Sequence, residues 1–393
     1  MRILRIIARL NVGGPARHVV LLNAGLQGRG HQTLLAYGVV DASEASLEAP
    51  AIESGIPLAR QERLVSRVRP GSDLRALIAL VRLIFREQPD VVHTHTAKAG
   101  MPGRLAAVAY NGTRSRARRA LVVHTFHGHV FEGYFRPGIS ALVVRAERWL
   151  AHATDIIVTI SPRQKADITG RFTVARAEKT VVVPLGLQLE QLLAMPAGAP
   201  DLRGAIGAAT GDVVVGFAGR MVKVKDLPTL VRAFARAYST VPALRLVLAG
   251  NGPERAAVEA LAGDLHVSHR VHFLGWVDDL PRFYSTLDVF ALSSVNEGTP
   301  VAAIEAMAAG RAVVATSVGG VPDVVEHDTS GLLVPPRDAD ALGAALARLA
   351  ADRELRAAMG AAGRARAMER YSHLRLVDDI ERLYVKGLTA KRA

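Results

Sequence analysis

Two glutamates, Glu297 and Glu305, interrupt an otherwise apolar stretch, "SVNEGTPVAAIEAMAAG", at residues 294–310. Pro300 suits a first helical turn and Gly310 a helix stop, so a helix is expected between them. Glu297 then lies in the loop before the helix and Glu305 in its second turn. Free amides from about Gly298 to Val301, through Thr299, would face a ligand, and the helix dipole favours an anion there. Carboxylates accept hydrogen bonds from hydroxyls. A sugar on one side, a ribose on the other and an anion between them describe a nucleoside diphosphate sugar. The plainer alternative is that the glutamates only complement the dipole, but a charge among "AAI" and "AMAAG" needs a partner if it is buried.

Cationic residues stand in a second stretch, "GFAGRMVKVKDLPTL" (216–230). Gly219 ends a strand, and Arg220, Lys223 and Lys225 precede a helix. Cations beside a helix N-terminus make a diphosphate clamp, or else a solvated basic loop. "LNVGGPARH" (10–18) puts Gly13 and Gly14 between a strand and a helix, where the backbone can approach an anion closely or simply turn. It is not the GxGxxG dinucleotide pattern. "LAGNGPER" (248–255), with Asn251, is a weaker turn of the same kind. "VVHTHTAKAG" and "VVHTFHGHVFEGYF" bring His93, His95, Lys98, His124, His127 and His129 towards two strand ends. Residues i and i+2 share a face in ordinary packing too, and no acidic or cysteine ligands stand at metal-site spacing, so no metal is expected. "DAD" at 338–340 precedes a helical run, where an aspartate is expected as its cap.

Strands and helices must hold these loops. Continuous apolar runs at 2–8, 31–40, 89–95, 120–126 and 155–161 alternate with helical patterns, one of them behind Ser72 as a cap. Six further strands are expected at 213–219, 244–250, 271–275, 287–293, 312–317 and 331–335. Unbroken apolar strands separated by helices indicate parallel sheets covered on both faces, with ligands at the strand C-termini. The expected organisation is an N-terminal domain over 1–185, a linker over 186–211, a C-terminal domain over 212–370, and a final helix over 371–393 that could cross back.

With 393 residues, half of them hydrophobic, the chain is globular and long enough for two domains. It has no cysteine, which excludes a disulfide framework and fits a reducing, cytoplasmic compartment. The start reads as a strand rather than a signal peptide, and no uncharged run approaches about 18 residues, so no membrane span is expected. Residues 1–190 carry 26 Lys and Arg against 14 Asp and Glu, almost all of the net +13. A basic first half suits an anionic partner, whether a membrane surface, a phosphorylated acceptor or a nucleic acid, or else is arginine placed on solvated faces; "RSRARR" (114–119) suits docking at the inner face of a membrane.

These motifs together resemble the retaining glycosyltransferases of family four, which have the GT-B fold. The resemblance covers nearly the whole chain and rests above all on "EGTPVAAIEAMAAGRAVVATSVGG". It implies an α/β fold, GT-B, with two doubly wound Rossmann-like domains facing across a cleft: the first binds the acceptor, the second the nucleotide-sugar donor. It further implies that Arg220 and Lys225 hold the diphosphate, Glu297 the donor sugar and Glu305 the ribose. Gly298, Thr299, Pro300 and Val301 would lie near sugar or phosphate, Trp276 and Val277 near the base, and Gly14 would close over the diphosphate. His127 would lie beside the reacting sugar, with His18, His95, Lys98 and His129 as acceptor-side candidates. The implied activity is retaining, metal-independent transfer of a hexose or N-acetylhexosamine, with UDP the expected nucleotide. The expected acceptor is a hydroxyl on a lipid-linked or surface-polysaccharide precursor. The family commonly has Pro-Glu after Gly319–Gly320; here Val321, Pro322 and Asp323 follow. Two alternatives remain: a nucleotide-sugar 2-epimerase of the same fold, which the paired glutamates argue against, and a polyanion-binding protein. For the latter, and for nucleic acid as a partner, 5% aromatic residues offer no stacking platform.

Overall fold

The computed structural model describes residues 1–11, 13–40, 45–65, 70–128, 137–196 and 198–392, which form two compact units. Unit 1 comprises Met1–Leu187 with His373–Ala393, and unit 2 comprises Gln188–Ser372.

Unit 1 is built on a seven-stranded parallel sheet. In chain order the strands are β1 (Arg2–Ile7), β2 (Gln32–Gly38), β3 (Leu58–Gln61), β4 (Val91–His95), β5 (Leu121–Phe126), β6 (Ile156–Thr159) and β7 (Thr180–Val182). In space they run β3-β2-β1-β4-β5-β6-β7. The chain therefore reverses its direction of growth between β1 and β4, and the C-terminal ends of that pair open a crevice. Both faces of the sheet are buried. Leu4, Ile6, Val92 and Val122 pack into one core cluster, while Ile3, Val91, Leu121 and Val123 join another with Leu376, Ile380 and Tyr384 of the helix His373–Arg392. This is why the strands read as unbroken apolar runs rather than alternating ones.

That helix belongs to unit 1, and it carries one polar anchor into the core. The Tyr384 hydroxyl accepts from Arg5 Nη2 at 3.1 Å and lies 2.6 Å from His93 Nδ1. Arg5 can only donate, so the hydroxyl is its acceptor, and on the other side of the ring His93 Nε2 lies 2.7 Å from Thr125 Oγ1. Gly387 sits against Leu121 and Ile156, where a side chain would collide, so the helix lies tight on the sheet. Elsewhere in the unit the fully buried Arg104 is met by Glu147 at 2.8 Å, the pairing a buried charge requires.

Unit 2 has a six-stranded parallel sheet of β8 (Val213–Ala218), β9 (Leu244–Ala249), β10 (Val271–Gly275), β11 (Val289–Leu292), β12 (Ala312–Thr316) and β13 (Gly331–Val334). The order is β10-β9-β8-β11-β12-β13, so its reversal lies between β8 and β11.

Several boundaries differ from the sequence reading. β3 (Leu-Ala-Arg-Gln) and β7 (three residues) were not expected, because edge strands are too short and too polar to show an apolar run. The stretch expected as a linker over 186–211 packs from Gln188 onward into unit 2. Leu192 and Ile206 are buried, Leu202 N–H donates to Thr286 Oγ1, and Arg203 pairs with Asp288. Its Pro, Gly and Ala content marks irregular backbone, not a free tether. Ser72 is not a cap: the helix Pro70–Glu87 starts earlier, and the Ser72 hydroxyl donates to Arg63 O. Asp338 does cap its helix, accepting from Ala341 N–H at 2.8 Å.

Candidate functional site

The C-terminal ends of β8 and β11 carry the two stretches that the sequence singled out. Three loops beside them are bonded together through backbone. Gly219 N–H donates to Ala249 O, Met221 N–H to Asn251 O, and Gly250 N–H to Gly275 O at 2.6 Å. Gly250, at φ +123°, lies so close to Gly219 that a Cβ would overlap its carbonyl. Beyond Gly219, Lys223–Lys225 form one turn of 3-10 helix. The turn delivers Lys225 Nζ to Glu297 Oε1 at 2.5 Å. Ser294 Oγ donates to the same oxygen at 2.6 Å, and Ser293 Oγ holds Lys225 O at 2.8 Å.

Glu297 is 10% exposed, and its Oε2 has no partner among the described residues. One carboxylate oxygen is thus fixed internally while the other can accept from a ligand hydroxyl. Gly320 N–H donates to Glu297 O and Gly298 O, both at 3.1 Å, tying the loop after β12 to the loop after β11. A side chain at Gly319 (φ +52°) would run into the Glu297 carbonyl.

The helix Val301–Ala308 begins where expected. Its first intrahelical bond is Ala303 N–H to Pro300 O, so the Val301 and Ala302 amides precede the ladder. Glu305 is half-buried, and Tyr284 supplies the partner its apolar setting demands, with the hydroxyl 2.9 Å from Oε2. Burial first, and then the Glu305 charge, holds the Tyr284 pKa well above its ordinary value, so the hydroxyl stays a donor. Arg220 is exposed at the end of β8. Asn251 follows β9 and accepts from Gly252 N–H, while Trp276 (exposed) and Val277 (half-buried) follow β10. The structure thus gathers Gly219, Lys225, Glu297 and Gly298, and places Asn251, Trp276 and Val277 further along the same sheet edge.

In unit 1 the ends of β1, β4 and β5 gather three imidazoles. His18 comes from the helix Gly14–Gly28, whose N-cap is the extended Gly13; Gly14 faces open space. His95 ends β4 and His127 follows β5. His95 Nδ1 lies 2.9 Å from His127 Nε2, and the His18 ring stands edge-on to His127 with centroids 4.8 Å apart. Among the described residues neither nitrogen of His18 has a partner, nor do His95 Nε2 and His127 Nδ1, although all four atoms are buried. Burial lowers the pKa of His18 and His95 well below the ordinary value and brings His127 to about 3; for His18 and His95 neighbouring cationic groups add to it. All three are neutral at pH 7. One nitrogen from each lies within 4.8 Å of the others, so these are the described residues that could take a metal ion. Lys98 is held by Asp73 at 2.7 Å. His93 and His124 are buried in the sheet, and His129 lies outside the described residues.

Sequence reading missed Ser293, Ser294 and Tyr284. "LSS" before Asn-Glu-Gly was a visible signal for the serines; nothing local ties Tyr284 to Glu305.

Comparison with known proteins follows the same division. Residues 12–191 match the model of glycosyltransferase family 4, and residues 199–366 that of glycosyl transferases group 1. The UDP-Gal:alpha-D-GlcNAc-diphosphoundecaprenol alpha-1,3-galactosyltransferase of Escherichia coli is 29% identical over 325 residues, 81% of each chain. The D-inositol 3-phosphate glycosyltransferase of Saccharomonospora viridis is 31% identical over 320 residues, 77% of this chain and 71% of its own. In fold, the crystal structure of Anabaena Alr3699/HepE in complex with UDP superposes with a TM-score of 0.83 at 21% identity, over 98% of this chain and all of that one.

Proposed function

The chain belongs to the family 4, group 1 glycosyltransferases, and from that premise we propose that it moves a hexose or N-acetylhexosamine from UDP to a hydroxyl of a lipid-linked or surface-polysaccharide precursor, with retention and without a metal. The observation that carries this reading is the Lys225–Glu297 pair at the β8/β11 reversal. It sets a cation for a diphosphate beside a carboxylate oxygen open to sugar hydroxyls.

The chemistry follows from those groups. The bond from the anomeric carbon to the diphosphate oxygen breaks as the acceptor oxygen bonds to the same face, and the leaving phosphate takes the acceptor proton. Negative charge grows on the diphosphate while the sugar becomes oxocarbenium-like. Lys225, Arg220 and the amides around Val301 counter that charge, the part a metal would otherwise play. Glu297 orients the sugar and Glu305 the ribose. Two names support the donor and acceptor: the Escherichia coli relative uses UDP-Gal and a diphosphoundecaprenol acceptor, and HepE was solved with UDP.

A panel of UDP- and GDP-sugars with EDTA present tests the donor. One UDP-sugar should raise the melting temperature and slowly release UDP, and Glu297→Ala should weaken both. A folded protein with no response to any nucleotide sugar would overturn the reading.

A peripheral place on anionic membrane accompanies this reading. Its support is the exposed turn Arg116–Arg118 followed by exposed Arg119, on the basic half of the chain. None of the helices in the described residues is long and apolar enough to cross a membrane. Reversing Arg116, Arg118 and Arg119 to Glu should weaken binding to anionic liposomes by about 1 kcal/mol per charge at low salt. Unchanged binding would remove the membrane from the proposal.

A further inference from the structure

We propose that a cavity inside unit 1 holds the hydrocarbon chain of the acceptor, with the phosphate ester at the chain's end seated on the strand-end rim. This deepens, and rests on, the reading that the acceptor is lipid-linked. The cavity has a volume of about 900 Å³, at the upper end for small-molecule sites. It lies among the helices Pro70–Glu87, Ala97–Gly112 and Pro137–His152.

Its lining is divided by chemistry. Leu74, Leu77, Met101, Leu105, Val143 and Leu150 make an apolar wall in which the carboxylate of Glu147 is taken up by Arg104, whereas Arg9, Asn11, Thr96 and Lys98, the last paired with Asp73, lie where β1 and β4 end. A free sugar against that wall would leave its hydroxyls facing methyl groups, an unpaired burial that disfavours it. A hydrocarbon chain gains from the same wall, at about 0.8 kcal/mol per buried CH₂.

The rim shows the marks of a ligand site. Thr96 is a β-branched residue at φ +66°, ψ +150°, a strained conformation for any side chain. Its hydroxyl is buried without a partner among the described residues. The adjoining residue, His95, belongs to the histidine cluster, so a chain seated in the cavity would bring its phosphate end to the reversal point of the sheet.

The mouth is apolar as well. Leu74 is 59% exposed and Met101 51%, although both line the cavity. On the third helix Leu142 (68%) and Trp149 (61%) stand seven residues apart on one face, with Arg145 between them, also exposed. Tryptophan and arginine beside exposed leucine suit the interface of a bilayer, from which such a chain would be drawn.

The test is displacement of anthranilate-tagged farnesyl diphosphate from the full chain, followed by fluorescence. Farnesyl phosphate, lysophosphatidic acid and butyl phosphate compete in separate arms. The long chains should displace the probe at least tenfold better than butyl phosphate. Preference for farnesyl phosphate assigns a prenyl acceptor, and preference for lysophosphatidic acid an acyl one; either supports the proposal. Leu105→Trp, which fills the cavity, and Leu77→Gln, which makes it polar, should each weaken probe binding at least tenfold. Each should also lower the ratio of kcat/KM for long- over short-chain acceptors. Two substitutions of opposite character keep the test usable should one fail to fold. Equal displacement by butyl phosphate, or folded variants that bind normally, overturns the assignment. Turnover on a short-chain acceptor without farnesyl phosphate binding would leave glycosyl transfer standing and remove the cavity's role. Lipid binding without sugar turnover would do the reverse.

Discussion

Lys225→Ala lowers kcat for sugar transfer by about 10²–10³-fold, the usual effect of removing one preorganised group that stabilises transition-state charge. The side chain does two things at once. Its ammonium is the cation nearest the Glu297 carboxylate, at 2.5 Å, and the proposed diphosphate would meet it beside the N-terminus of the helix Val301–Ala308. When the diphosphate leaves, its charge grows, so the interaction strengthens in the transition state and the loss falls on kcat as well as kcat/KM. Removal also leaves Glu297 with Ser294 alone on its bound oxygen, close to an arriving diphosphate, and the repulsion weakens donor binding.

Lys225→Arg keeps the charge but replaces a compact ammonium with a planar fork, so it restores only part of the rate. Glu297→Gln keeps the shape and removes the charge. It should hurt transfer while sparing UDP affinity, because a neutral amide no longer repels the diphosphate. Steady-state kinetics with the best donor, together with UDP titration by calorimetry, separates these effects. A rise in KM with kcat untouched would make Lys225 an ordinary binding residue and sink the argument.

What the sequence revealed of this site follows a physical rule. Groups whose environment is set by near neighbours were visible. Pro300 and Gly310 frame a helix, which places Glu297 before it and Glu305 within it, and the structure has the helix at Val301–Ala308. Every expected strand exists, because a strand buried on both faces is an apolar run however the sheet is wired. Groups defined by distant partners were not visible. Lys225 meets Glu297 across 72 residues, and Tyr284 meets Glu305 across 21. The histidines show both sides of the rule. That His93 and His95 share a face follows from their spacing, and their rings do lie 4.2 Å apart. That His18 joins His95 and His127 follows only from the strand order, which sets β1 beside β4 and β4 beside β5. Likewise, "DDIERLYVKGL" shows an amphipathic helix, but not that Tyr384 reaches Arg5 and His93.

Those histidines make unit 1 the acid-sensitive part of the chain. Burial, first among the causes, depresses the pKa of His18, His93, His95, His124 and His127; for all but His127 cationic neighbours add to it. The groups facing them are Arg5 on β1, Arg104 on the helix Ala97–Gly112, Arg375 and Tyr384 on the helix His373–Arg392, and one another. None of these described groups is a carboxylate that would stabilise an imidazolium.

A histidine with a depressed folded pKa is neutral in the native state, whereas the unfolded chain binds its proton below about pH 6.5. The unfolded state then holds more protons, so stability is complete above that pH and is lost as pH falls towards the folded value, about 3 for His127. Each imidazole contributes a loss of about 1.4 kcal/mol per pH unit in that window. Five together bring roughly 10 kcal/mol by pH 5, as large as the whole stability of a typical domain, about 5–15 kcal/mol.

Unit 2 has one comparable group among its described residues, the half-buried His272, whose pKa burial and then Arg245 and Arg270 lower. Hydrogen exchange at pH 7, 6 and 5, corrected for intrinsic rates, should therefore show protection collapsing in β4 and β5 while β8 and β11 keep theirs. His124→Asn removes one titrating group and should flatten the slope for unit 1 by about one proton. Equal losses in both units would mean that the buried imidazoles do not set the acid sensitivity; full protection of β4 and β5 at pH 5 would mean that they take up protons without unfolding and that the cluster is open to water in solution.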